Sequence, residues 1–120
     1  VINKKMKALS CIKPGELAYT TKENPPLEQG KAIIKIKRIG ICGTDLHAFE
    51  GTQPYFSYPR ILGHELSGIL AEFDDAPGFM HGESVTFIPY FSCGTCVACR
   101  VGKTNCCTQL QVCGVHIDGG

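Results

Sequence analysis

Apolar residues in the N-terminal third of the chain fall into short runs separated by turn-forming residues. Residues 6–13 are predicted to form a strand that ends at Pro14-Gly15, and residues 16–21 are predicted to be its partner. Residues 23–30 contain Pro25-Pro26 and predict a loop. The pattern therefore predicts a two-stranded unit at the start of the chain.

The clearest strand signal covers residues 32–41. Isoleucines alternate there with Lys35 and Lys37, which predicts one buried face and one solvated face. A solvated face accounts for these lysines without any binding role. The strand delivers the chain directly to Cys42.

The remainder of the chain predicts short elements joined by loops and turns. Several short strands without a β-α-β unit favour a mainly β fold, an all-β barrel or sandwich. The predicted elements are about two helical turns ending before Gly51, a loop at 52–62, a strand at 69–73, a turn-rich connector at 74–82, a buried strand at 85–88 and one helical turn at 97–101.

Length and composition set the class of protein. The 120 residues fit one domain, and 43% hydrophobic with 19% charged residues is typical of a soluble globular protein. The net charge is +1, and no basic cluster is mixed with aromatics, so nucleic acid and anionic membranes are not expected partners. No apolar run is long enough to span a bilayer, and the N-terminus does not resemble a signal peptide. We therefore expect a cytoplasmic, reducing location.

A cysteine-rich stretch at residues 93–107, CGTCVACRVGKTNCC, contains the pattern C-x2-C-x2-C-x7-C. Four thiolates at this spacing can converge on one tetrahedral zinc ion. The stretch has too few apolar side chains to be stabilised by burial, so the metal is expected to supply folding energy. The pattern predicts a closed structural zinc site formed by Cys93, Cys96, Cys99 and Cys107.

Two other interpretations of these cysteines remain open. Disulfides could pair them in a secreted protein, although a reducing compartment disfavours this, and an iron-sulfur cluster also uses four thiolates. Cys106 lies beside Cys107 and could replace it as a ligand with a one-residue shift.

A second set of residues has metal-ligand chemistry. Cys42 and His64 each lie where a strand meets a turn flanked by glycine, at Gly43 and Gly63. With the neighbouring Glu65 they offer three donors and leave a position open, which is the mark of catalytic zinc. Taken singly, however, a buried cysteine is usually packing, and a lone histidine is usually a hydrogen-bonded polar group.

Three segments in this order and spacing resemble the zinc-dependent medium-chain alcohol and polyol dehydrogenases. They are GICGTDLHAFEG at 40–51, LGHELSG at 62–68 and the cysteine stretch at 93–107. The resemblance covers nearly all of residues 6–120. It implies that residues 1–120 form a GroES-like β-barrel catalytic domain with a zinc-binding lobe. In the family this domain is normally followed by a Rossmann nucleotide-binding domain, so we expect the chain to be incomplete.

The resemblance also implies ligand roles. Cys42 and His64 would bind the catalytic zinc, and Glu65 would be a direct ligand, as in the polyol branch, or an adjacent group. Asp45 would hold the other ring nitrogen of His64, because metal-bound histidines usually have a carboxylate partner.

Proton transfer is assigned by the same resemblance. Thr44 would hydrogen-bond the reacting oxygen and His47 would pass its proton to solvent, since a hydroxyl and an imidazole can both donate and accept. Tyr90 and Phe91 are candidates for the substrate pocket. The cofactors would be two zinc ions and a nicotinamide dinucleotide, NAD or NADP. The dinucleotide would be bound by a domain that this chain lacks.

The expected substrate is a small-molecule alcohol: a sugar alcohol, a sugar acid or threonine. The complete protein is expected to be a homo-oligomer. Two departures from the family pattern are the lack of a Gly-x-Gly-x-x-Gly after a strand and Glu83 where aspartate is usual. Two alternatives are a GroES-like interaction module that binds zinc without chemistry and the zinc-free quinone reductase branch. Cys42, His64 and the cysteine lobe argue against the latter.

Overall fold

Residues 5–120 are described by a computed structural model of the protein. Strands predominate and helices are short. In chain order the elements are β1 (Lys5–Lys13), β2 (Glu16–Glu23), β3 (Ala32–Gly40), α1 (Gly43–Glu50), β4 (Arg60–Ile61), β5 (Glu65–Phe73), β6 (Ser84–Thr86), β7 (Tyr90–Phe91), α2 (Val97–Arg100), a 3-10 turn (Thr104–Cys106) and β8 (Gln111–Val112).

The first sheet has the strand order β2-β1-β4. β1 and β2 form the predicted antiparallel pair, and the turn between them uses Gly15 at a φ of 79°. β4 pairs with the far side of β1 through Ser10–Ile61 and Cys11–Arg60. This pairing places the residues just before His64 against the buried end of the first strand.

The second sheet has the order β3-β5-β6, and all of its pairs are antiparallel. Lys35 and Lys37 are exposed on β3, which confirms the predicted solvated face. The register places Gly40 opposite Glu65, at the end of the ladder where β3 leads to Cys42. The sheet therefore brings two distant parts of the sequence to one edge.

The third sheet is the β7–β8 pair, whose strands lie on either side of the cysteine stretch. Both strands have only two residues. The helical turn predicted at 97–101 is confirmed as α2. Antiparallel pairing of β7 with β8 closes residues 93–107 into a separate lobe.

The mainly β class is confirmed, although within residues 5–120 the strands pair as three separate sheets and do not close into one hydrogen-bonded barrel. The strand expected at 85–88 is wrong at its end, because β6 stops at Thr86 and Ile88 is 77% exposed. The buried core includes Cys11, Ala48, Ile61, Leu66 and Leu70. In the described part of the chain, no helix has the length and apolar character required to cross a membrane.

Candidate metal centres

Cys42, His64 and Glu65 form a cluster whose donor atoms all lie within 4.8 Å of one another. We call these three residues the mixed cluster. Cys42 is the N-cap of α1, His64 immediately precedes β5, and Glu65 is its first residue. The register of the β3–β5 pair therefore brings these three residues to one edge of the sheet.

Within the mixed cluster, the Sγ of Cys42 lies 3.1 Å from Nε2 of His64. The backbone N–H of Thr44 donates to the same sulfur at 3.3 Å, as expected at the start of a helix. The His64 side chain is only 15% exposed, whereas Glu65 is exposed. The Cys42 sulfur and the His64 imidazole thus face each other on the buried side of the cluster, and the Glu65 carboxylate lies on its exposed side.

Asp45 is buried beneath the mixed cluster and holds its backbone. Its Oδ2 accepts from the N–H of Cys42 at 3.0 Å, and its Oδ1 accepts from the N–H of Gly63 at 3.3 Å. The Nδ1 atom of His64 lies 3.8 Å from Oδ1, beyond hydrogen-bond length, and is buried without a hydrogen-bond partner. The direct Asp45–His64 hydrogen bond expected from the resemblance is therefore absent from this arrangement, and the carboxylate fixes the two ligand-bearing segments instead.

Gly40 is a residue of the site that sequence reasoning missed. A Cβ at this position would lie 2.8 Å from the Cβ of Glu65, closer than side chains approach. Glu65 can reach the cluster only because position 40 has no side chain. A signal was available, since a glycine inside a strand often marks a close approach.

Thr44 and His47 both lie on α1, three residues apart, so they share one side of the helix. Thr44 is half-buried beside Cys42, and the His47 side chain is 61% exposed. The Nδ1 of His47 is 3.2 Å from Oγ1 of Thr52 and 3.5 Å from a carboxylate oxygen of Glu50. One side of α1 therefore carries a hydroxyl next to the mixed cluster, at Thr44, and an imidazole exposed to solvent, at His47.

A cavity of about 630 Å³ opens beside the mixed cluster. His64, Glu65 and Tyr90 are among its lining residues, together with Arg38. Ten residues of the described chain line it, and Phe91 is not one of them. Of the two aromatic candidates for a substrate pocket, the structure brings only Tyr90 to the cavity.

Cys93, Cys96, Cys99 and Cys107 form the second cluster, and their sulfurs lie within 4.8 Å of one another. We call it the sulfur lobe. Cys107 is buried and accepts from the N–H groups of Cys93 and Gln109, each at 3.3 Å. Cys106 is exposed and lies outside the cluster. The geometry favours Cys107 over Cys106 as the fourth donor.

Backbone amides shift the acidity of the lobe thiols. The N–H groups of Cys99 and Thr108 lower the pKa of Cys96 to about 5. Burial, with hydrogen bonding to Cys96, raises the pKa of Cys99 to about 11. Hydrogen bonds from the backbone N–H and the hydroxyl of Thr95 lower the pKa of Cys93. The lobe therefore holds thiolate and thiol together near neutral pH until a cation displaces the remaining protons.

Both donor sets fit zinc. Four sulfurs bound to one tetrahedral zinc would lie about 3.8 Å apart, compatible with the separation in the sulfur lobe. The mixed cluster offers sulfur, nitrogen and oxygen, and its carboxylate lies on the side that borders the cavity. The first set can enclose an ion fully, and the second leaves room for a further ligand.

Comparison with known proteins gives the family. The model of the alcohol dehydrogenase GroES-like domain matches residues 28–120. The L-galactonate-5-dehydrogenase of Escherichia coli K12 is 48% identical over 116 residues, covering 96% of this chain and 34% of the relative. The D-altritol 5-dehydrogenase of Agrobacterium fabrum is 33% identical over the same shares of the two chains.

A solved alcohol dehydrogenase from Escherichia coli CFT073, in complex with NADH, has a TM-score of 0.85 and 39% identity. The match covers 98% of this chain and 34% of that one. The chain thus spans about a third of the length of the relatives it matches. Both the sequence and the fold agree with the resemblance that the three motifs indicated, and the chain belongs to the alcohol dehydrogenase GroES-like domain family.

Proposed function

We propose that this chain is the metal-binding catalytic domain of a zinc-dependent dehydrogenase that uses NAD or NADP. Its substrate would be a secondary hydroxyl group of a sugar acid or polyol. The observation that carries the proposal is the convergence of Cys42, His64 and Glu65 beside a cavity, separately from the closed sulfur lobe.

The residues of the mixed cluster divide the work of holding an ion. The N–H of Thr44 donates a hydrogen bond to the Cys42 sulfur and holds it at the start of α1. His64 presents Nε2 to the same point, and its low exposure limits rotation of the ring. Glu65 completes the set from the open side. Zinc, when bound there, supplies Lewis acidity that lowers the pKa of a substrate hydroxyl and favours hydride loss to a nicotinamide.

The proton of that hydroxyl needs an exit, and α1 offers one. Thr44 would accept the hydrogen bond of the substrate hydroxyl, and His47 would take the proton to solvent. The hydrogen bond between Nδ1 of His47 and the hydroxyl of Thr52 holds the imidazole at the solvent-exposed end of this proton path. Asp45 would act through the backbone of Cys42 and Gly63, which keeps the two ligand segments together.

The substrate class rests on the relatives. One acts, by its name, on L-galactonate and another on D-altritol, each at carbon 5. Both compounds carry secondary hydroxyl groups along a six-carbon chain. The cavity of about 630 Å³ beside His64 and Tyr90 has room for a molecule of that size.

Metal stoichiometry tests the proposal. We expect the purified, reduced chain to bind two zinc ions, and we expect the Cys42→Ala variant to bind one. Cys106→Ala is the matched control, because Cys106 is exposed and lies outside both clusters. If the wild-type chain bound only one zinc ion and Cys42→Ala kept it, a zinc-binding interaction module without chemistry would be favoured instead.

Activity tests the substrate. The complete protein should oxidise L-galactonate or related polyols with NAD or NADP, and it should do so much faster than ethanol. Activity restricted to simple primary alcohols would contradict the polyol assignment while leaving the dehydrogenase assignment intact. The homo-oligomeric state and the cytoplasmic location stay predictions from the sequence.

A further inference from the structure

The segment from Gly114 to Gly120 folds back onto the residue that precedes the His64 ligand. The backbone of Gly63 has a φ of 105°, in the left-handed region that favours glycine. A Cβ there would lie 2.9 Å from a methyl group of Ile39 and 3.3 Å from the carbonyl oxygen of Gly120. Position 63 is therefore enclosed by β3 on one side and by the returning segment on the other.

Two glycines of the returning segment make the contact possible. A Cβ on Gly114 would lie 2.8 Å from the backbone nitrogen of Gly63, and it would meet the carbonyl oxygen of Gly63 even more closely. A Cβ on Gly119 would collide with the same oxygen and lie 2.6 Å from the carbonyl oxygen of Leu62. Backbone packs directly on backbone here, which leaves the Leu62–Gly63 peptide no room to move.

Hydrogen bonds fasten the same segment to β4. The N–H of Ile61 donates to Oδ1 of Asp118 at 3.1 Å, and the N–H of Gly119 donates to the carbonyl oxygen of Ile61 at 2.8 Å. Arg60 and Lys22 each approach the Asp118 carboxylate at 3.5 Å. Ile61 is buried and lies three residues before His64, so this attachment sets the path by which the chain enters the mixed cluster.

The other end of the segment is attached to the sulfur lobe. β8 pairs with β7, and the N–H of Cys113 donates to the carbonyl oxygen of Pro89 at 2.9 Å. A continuous run of backbone contacts therefore links the strands that close the sulfur lobe to Gly63. By contrast, the Nδ1 atom of His64 has no hydrogen-bond partner of its own. Apart from the 3.1 Å contact of Nε2 with the Cys42 sulfur, no hydrogen bond from residues 5–120 orients the ring, so the path of the backbone determines where it lies.

We infer that Asp118 and Gly119 are positioning residues for His64: they fix the Ile61–Gly63 backbone so that Nε2 of His64 faces the Cys42 sulfur. The inference rests on the proposed function, since it concerns the metal affinity of the mixed cluster. Neither residue has a donor atom in that cluster. Their effect passes through the backbone of Leu62 and Gly63.

The test is a zinc titration of the whole chain against a chromophoric chelator, which resolves the two sites by affinity. Gly119→Ala and Asp118→Asn should weaken the mixed cluster about ten-fold while the sulfur lobe keeps its affinity, as for other residues that orient a metal ligand. The φ of Gly119 is not left-handed, so an alanine at this position would be disfavoured only by the close approach of its Cβ to the Leu62 and Gly63 backbone.

A matched control comes from an aspartate outside both clusters. Asp74 accepts from the N–H of Gly30 at 3.4 Å in exposed loops, so Asp74→Asn repeats the Asp118→Asn change without the contact at Gly63. This control should bind two zinc ions with wild-type affinities. In histidine-labelled protein, the His64 ring resonances of the control should respond at the same zinc concentrations as in wild type, and those of the two variants only at higher zinc concentrations.

Each outcome decides the matter. Wild-type affinity of the mixed cluster in folded Gly119→Ala and Asp118→Asn would overturn the inference and leave the proposed function intact. Equal weakening of both sites would show a general structural role and overturn it too. If wild-type chain binds only one zinc ion, the proposed function fails and the inference fails with it. Should Gly119→Ala not fold, Asp118→Asn decides alone.

Discussion

The two donor clusters differ in how the chain assembles them. The sulfur lobe collects four cysteines from fifteen consecutive residues, closed by a two-residue strand on each side. The mixed cluster joins a helix N-cap to the start of a strand more than twenty residues later, and it depends on the β3–β5 register and on the segment that returns at Gly119. Local spacing suffices for the first, whereas the second requires the folded domain.

The sulfur lobe should thus affect mainly stability, and the mixed cluster mainly catalysis. Binding or loss of zinc at a locally closed site affects mainly the loop that forms it. A site built from distant segments is sensitive to changes that do not touch the metal. The two clusters should therefore respond differently to substitution, and each prediction below tests that separation.

The largest effect is expected from removing one donor of each cluster. In the complete protein, His64→Ala should lower kcat/KM by roughly a thousand-fold, because Lewis-acid catalysis is worth several kcal/mol. It should leave the fold of the lobe unchanged. Cys96→Ser should instead remove the lobe metal and the hydrogen-exchange protection of residues 93–107. If both variants lost both metals, the clusters would not be independent.

A smaller effect is expected from pH. Below its pKa of about 11, Cys99 must lose its proton when zinc binds, whereas Cys96, with a pKa of about 5, is already a thiolate at pH 7. Zinc binding to the sulfur lobe therefore releases protons, and its affinity should rise with pH between 6 and 8. The expected slope is at least about ten-fold per pH unit. Chelator competition at three pH values measures it, and a flat profile would contradict the prediction.

Asp45→Asn should weaken the mixed cluster by about ten-fold, because an amide cannot accept from both the Cys42 and Gly63 N–H groups as two carboxylate oxygens do. Weakening the capping-box hydrogen bond from the Cys42 N–H to Asp45 should also cost up to about 1 kcal/mol of unfolding free energy. The zinc titration and thermal unfolding measure the two effects separately. Zinc affinity equal to wild type would show that Asp45 serves the helix alone.

His47→Gln should have the smallest effect, a decrease in kcat of at most about ten-fold. The side chain is 61% exposed, so water can replace it in carrying the proton. Zinc stoichiometry should stay at two, and the decrease should be larger at low pH, where hydroxide is scarce. Thr52→Val is the matched control, since it removes the hydroxyl that lies 3.2 Å from the imidazole without removing the base.

Patterning predicted the long strands, the α1 helix and the α2 turn well. The pattern did not predict β4, β7 and β8, because a two-residue strand is too short to show alternation of apolar and polar residues. β5 begins at Glu65, earlier than the strand expected at 69–73, since its glycine-containing start carries little apolar signal but still pairs with β3.

The sulfur lobe could be predicted from spacing alone, except for the choice between Cys106 and Cys107, which needed the folded positions of the two sulfurs. The mixed cluster was a weaker prediction, because the 22-residue separation of Cys42 and His64 says nothing about distance. Their chemistry and glycine-flanked turns made them candidates, and the resemblance was needed to assign them to one metal. The packing of Gly119 against Leu62 was also beyond prediction. It depends on two backbones separated by more than fifty residues, and no sequence pattern encodes such an approach.

The glycine at position 40 has one last implication, for redesign of this domain. Because Glu65 occupies the space that a side chain at 40 would need, a single added methyl group there would push the carboxylate away. The cluster would be left with one sulfur and one nitrogen, fewer than the three protein donors of a catalytic zinc site. Metal affinity in this scaffold can therefore be altered from a neighbouring strand, with every donor residue retained.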